Sequence, residues 1–188
     1  MSLHPAQNRQ LRETYAWARQ IADHWERLAE RVGEPESGPL RQGAEKAGEL
    51  AEALVPVATA EGLPIAKAAA NAGRSLAKVK GSVRDRLLER NQAIRLAVQD
   101  MQHLTTSLAY GAALATASGT DELATFQTTW EKRLRRVESA ARKAAVEQGA
   151  RPDAAIEPLE SAAGAKIGQT LGALGEWTDA QVTKRRGS

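Results

Sequence analysis

The chain has 188 residues, 26 Lys/Arg against 23 Asp/Glu for a net charge of +3, only 4% aromatic residues and no cysteine. This length suits one domain with a real hydrophobic core, and the absence of cysteine excludes disulfides and thiolate metal sites. Alanine supplies 37 of the 188 residues, and β-branched and aromatic residues never gather in the short alternating runs that strands need. The fold class expected is therefore all-α, an elongated antiparallel bundle of five or six helices with coiled-coil-like packing.

The first helix is expected over 5–32. Its seam is Leu11, Tyr15, Ala18, Ala22, Trp25, Ala29 and Val32, with Thr14, Trp17, Ile21 and Leu28 widening the stripe towards a second neighbour. Gly33 and Pro35 end it. A loop over 33–39 leads into a second helix with the seam Leu40, Gly43, Ala47, Leu50, Leu54 and Val57, which Pro56 should kink or end near Leu54. Gly62, Leu63 and Pro64 form the next break.

From Ile65 a long apolar seam reaches 118, with Leu87, Ile94, Met101, Leu108 and Ala115 recurring every seven residues. One stutter in it falls where Gly81 and Ser82 stand, with Asp85 placed to complete a capping box. Either the chain breaks there or a single helix of 54 residues, about 80 Å long, continues through. Ser118, Gly119 and Thr120 make the clearest turn, and Thr120 is placed to cap a helix running to about Gln148 along Leu123, Gln127, Trp130, Leu134, Val137, Ala141 and Ala144. After Gly149, Pro152 and Pro158, a last helix is expected over 159–182. One domain would then span 1–183, with a disordered tail over 184–188.

That last helix carries Gly164, Gly168 and Gly172 at four-residue spacing, followed by Gly175. Residues so spaced share one helical face. Each interior glycine costs about 1 kcal/mol relative to alanine, so the stripe calls for close contact with another backbone. We take Gly164, Gly168, Gly172, Gly175, Trp177 and Trp17 as candidate partner-helix packing residues. The packing could be within the chain or against a partner, because small-residue stripes and exposed tryptophan both occur at interfaces. Such stripes also drive association in lipid, but Lys166, Glu176 and Asp179 leave only 167–175 uncharged there. The longer charge-free run, 101–120, holds too much Thr, Ser, Gln and Ala for a bilayer span.

Charge is unevenly spread. Residues 1–62 hold 7 Lys/Arg and 10 Asp/Glu, residues 63–147 hold 14 and 8, and residues 148–188 hold 5 of each. Antiparallel helices that complement each other would explain this, and an anion-binding face is the alternative. Lys132, Arg133, Arg135, Arg136, Arg142 and Lys143 are candidate phosphate contacts. A second basic run, from Arg74 to Arg95, is partly offset by Asp85 and Glu89. Asp100 and His103 have a metal-capable spacing, but the second acid–histidine pair that a helical metal site needs is missing.

No GxSxG, GxxxxGK[ST] or GxGxxG pattern occurs, and no nucleophile has its usual company. The sequence therefore points to no catalytic, metal or cofactor residues and to no small-molecule substrate. The polar first 12 residues lack a signal-like apolar segment, which points to the cytoplasm, and the alanine- and arginine-rich composition reads as bacterial. The expected role is a non-enzymatic helical scaffold, adaptor or secretion-associated binding protein acting through helix–helix contacts, with a protein partner or self-association. Two alternatives stay open. One is phosphate-backbone binding of nucleic acid through the basic 74–95 and 132–143 faces. The other is an amphipathic membrane- or granule-surface protein, against which the single Phe126 argues. No family is identified from these residues.

Overall fold

The computed structural model of this chain describes residues 3–65, 88–156 and 159. Four long helices make the body: α1 (Pro5–Val32), α2 (Ser37–Ala60), α3 (Arg90–Ala117) and α4 (Asp121–Glu147). A 3₁₀ turn (Gln148–Ala150) and one helical turn, α5 (Pro152–Ala155), follow. The all-α bundle expected from composition and periodicity is what the chain forms.

The helices form a ring in which α1 packs on α2 and α3, and α4 packs on α2 and α3. Cross-helix contacts set the directions. Gln10 meets Ser107 while His24 meets Asp100, so α1 and α3 run antiparallel. Trp25 lies against Gly43, and the short turn at 33–36 reverses the chain into α2. Gly111 faces Gln127, Gln102 bonds Glu138 at 3.0 Å, and α4 therefore runs against α3. The order is up, down, down, up. The connection from residue 61 to 89 thus carries the chain from one end of the bundle to the other, a long crossover of a kind known in four-helix bundles.

The seams read from the sequence are the core. Leu11, Ala18, Trp25, Ala29 and Val32 are buried, as are Leu50, Leu54, Ile94, Met101, Leu108 and Leu134. The widening positions Thr14, Ile21 and Leu28 are fully buried too, whereas Tyr15 and Ala22 lie at its margin. On this bundle α1 has two neighbours, and the centre of its apolar stripe falls between them.

Two expectations are corrected, and a third is untested. Pro56 neither ends nor breaks α2, which continues to Ala60. Its missing N–H would have bonded the carbonyl of Glu52, and both residues lie on the water-facing side, where that carbonyl can be hydrated. A single helix over 65–118 is also excluded, because Glu89 is extended (φ −66°, ψ 153°) and α3 begins at Arg90. The break expected at Gly81 and Ser82, with its capping box, lies outside the described residues.

Thr120 occupies the N-cap position of α4 without capping it through its side chain. Its hydroxyl donates to the Ala115 carbonyl (3.0 Å) and accepts from Gln7 Nε2 (2.9 Å), tying the α3–α4 turn to the start of α1. At α1 itself the sequence hid a capping box, in which His4 Nδ1 accepts from the Ala6 amide while Gln7 Oε1 accepts from the His4 amide. The turns at Gly33, Gly62 and Gly119 do need glycine, with φ of 68°, 75° and 68°.

Candidate interaction surfaces

Six cations on α4 were singled out from the sequence, and all six are exposed: Lys132, Arg133, Arg135, Arg136, Arg142 and Lys143. The buried seam of Trp130, Leu134, Val137 and Ala141 turns them outward. Lys132, Arg136 and Lys143 fall on one line of the helix, at spacings of four and seven residues.

The expected pairing of basic α4 with the acidic first helices is not how these cations are neutralised. Arg135 bonds Glu131, and Lys143 lies 3.8 Å from Glu147, both along α4 itself. Arg133 sits over the Trp130 ring at 4.9 Å, a cation–π contact. Lys132, Arg136 and Arg142 have no ion pair among the described residues. Of the second basic run only Arg90 and Arg95 are described. On α2, Lys46 donates to Glu49 at 2.5 Å, and this bond, against some burial, holds its pKa above the ordinary lysine value.

The outer face of α3 differs. From residue 101 to 117 the helix carries no Asp, Glu, Lys or Arg, and its exposed positions are Gln102, His103, Thr106, Ala109, Tyr110, Ala113, Thr116 and Ala117. Tyr110 is 58% exposed. Beside it, on the α1 side, the Trp17 ring meets the His103 ring with centroids 4.6 Å apart, and His103 Nε2 lies 3.3 Å from Glu13 Oε1. Trp17 was among the candidate partner-packing residues, where an exposed tryptophan is expected. It is instead partly buried against the core and the His103 ring, and Tyr110 is the exposed aromatic side chain among the described residues.

The candidate metal pair is divided: Asp100 turns to His24 (3.8 Å) and His103 to Glu13. Among the described residues no group of three or more His, Asp or Glu side chains is placed to hold a metal. No helix among them is long and apolar enough to cross a membrane. An open groove between α1 and α2 is lined by Ala22, Asp23, Glu26, Arg27, Ala44 and Glu45. At the bundle end where α2 begins, Glu36 is 1% exposed and bonds Arg151, while Asn91 Nδ2 donates to the Ala155 carbonyl at 2.7 Å. Together these two contacts hold the chain after α4 against the start of α2 and α3.

Gly164, Gly168, Gly172, Gly175 and Trp177 lie outside the described residues. Among the described residues, two helical glycines make room for side chains rather than for another backbone. A Cβ on Gly43 would run into the Trp25 ring, and one on Gly111 into the amides of Gln127 and Gln10. These buried glutamines, with Thr14 and Ser107, were not recognised as a group from the sequence. The available signal was a polar residue at a seam position, and Gln127 stands on the α4 seam in plain view.

No family model, no curated protein and no solved structure matches the chain.

Proposed function

We propose that the chain is a non-enzymatic helical interaction protein that binds a protein partner through the charge-free outer face of α3. The observation that carries this reading is the composition of that face. Interface centres are depleted in charge and enriched in aromatic residues, and here Tyr110, with Trp17 at the margin, stands on 17 residues without a charge while neighbouring helices are densely charged. A photo-crosslinking residue at Tyr110 tests it. The reading expects a discrete protein adduct from that position and none from exposed Glu122 on α4. Equal labelling from both positions, or none from Tyr110, would overturn it.

A second reading is favoured by Lys132, Arg136 and Arg142, exposed cations without an ion pair among the described residues. They could follow a phosphate backbone, whose binding weakens steeply with salt. Binding to a DNA duplex that falls with salt, and that loses slope when the three are changed to Gln, would support it. Salt-independent retention would remove it.

A further inference from the structure

We propose that a buried polar layer of Gln10, Thr14, Ser107 and Gln127 fixes the register in which the α1–α2 hairpin docks on the α3–α4 hairpin. The shared core is rich in alanine, with Ala18, Ala51, Ala93, Ala97, Ala115 and Ala141 all buried. Alanine ridges are shallow, so at these positions sliding one hairpin by a helical turn sacrifices little packing. Something else must make one register unique.

The hydrogen bonds that cross between the hairpins supply it. Gln10 Nε2 donates to the Ser107 carbonyl at 2.8 Å and Thr14 Oγ1 lies 3.1 Å from Ser107 Oγ, while within α1 Gln10 Nε2 also donates to Thr14 Oγ1 at 2.8 Å. Gln7 adds its bond to Thr120 at the α3–α4 turn. Gln127, 1% exposed, comes in from α4 to the same place.

Gly111 is the condition for this meeting, because a Cβ there would occupy the position of both amides. One turn away in either direction, Ser107 and Ala115 carry the Cβ that Gly111 lacks. Sliding the α1–α2 hairpin by one turn would therefore set Gln10 against a Cβ and separate Thr14 from the Ser107 hydroxyl, while Gln127 keeps its place over Gly111. The layer is not optimised for stability. Gln10 Oε1 and both amide atoms of Gln127 have no hydrogen-bond partner among the described residues, and unsatisfied buried amides are unfavourable. A polar group retained in an apolar seam at the expense of stability is a known means of specifying register.

The chain has no cysteine, so two spin labels can be placed cleanly at exposed Arg27→Cys on α1 and Ala117→Cys on α3, near opposite ends of the bundle. The parent should give one narrow distance. With Gln10→Leu and Gln127→Leu added, helix content should persist and a second distance should appear, displaced by about 5 Å, one helical turn. Gly43→Ala, which crowds Trp25 outside the layer, should leave a single distance. The proposal fails if the double-leucine protein keeps the single distance, or if the Gly43→Ala control splits as well. It also fails if the double-leucine protein unfolds under conditions where the parent is folded, since the amides would then supply stability rather than register.

Discussion

The two ends of the bundle are built on opposite plans. Where α1 ends and α2 begins, large apolar side chains fill the centre, with Trp25, Leu28, Leu40 and Ile94 fully buried, and the buried polar Glu36 and Ser37 belong to the turn into α2. There the outside of α4 is densely cationic. Where α1 begins and α3 ends, the interior holds Gln7, Gln10, Thr14, Ser107 and Gln127, and the outside of α3 carries no charge at all. Apolar burial gives strong, non-directional stabilisation, whereas buried hydrogen bonds contribute little net stability but demand one geometry. The apolar end should therefore carry most of the folding free energy. The polar end specifies which arrangement is reached and presents the face proposed for a partner.

The largest test of this contrast is at Trp25. Trp25→Ala removes the biggest fully buried side chain of the apolar end and should cost about 4 kcal/mol, measured by chemical denaturation. Gly43→Ala should follow at about 2 kcal/mol, because the new methyl meets a ring locked in the core and overpacking outweighs alanine's helix preference. Gly111→Ala at the polar end should cost less than about 1 kcal/mol. The atoms in its way are the ends of glutamine side chains, which turn aside at the expense of the register they set, while the alanine gain offsets much of the loss in stability. Equal losses at the two glycines would dissolve the contrast.

The smallest effect is expected for the surface charge of α2. Lys46→Met should lower the melting temperature by no more than about 2 °C at neutral pH. Since the folded pKa of Lys46 is raised, its contribution is fully present below the unfolded lysine pKa of about 10.4 and is lost as pH rises through the folded value. The two melting curves should therefore converge in strong alkali.

How much of this was legible follows from what periodicity encodes. Apolar residues at helical spacing gave the bundle, the four seams and the turns at Gly33, Gly62 and Gly119, because burial and positive φ both select residue type directly. Pro56 misled because a proline's damage depends on whether the freed carbonyl meets water or core, and that is a tertiary fact. The role of Thr120 was hidden for the same reason: its partner Gln7 is 113 residues away. The polar layer was half visible. Gln127 breaks an apolar seam in the sequence, but nothing local says that Gln10 will reach it across Gly111. The outer surfaces were legible as composition only. The charge-free run and the six cations could be read off, whereas Tyr110, not Trp17, being the exposed aromatic depended on the indole packing against the core and the His103 ring.

Native-state hydrogen exchange tests the central contrast most directly, because it reads opening free energy along a single helix. In α1, amides around Trp25 and Leu28 should open only with global unfolding. Those around Leu11 and Thr14, together with those around Leu108 and Gly111 in α3, should open at lower free energy in one shared step. Uniform protection along α1, or a polar end that outlasts the Trp25 end, would contradict the account.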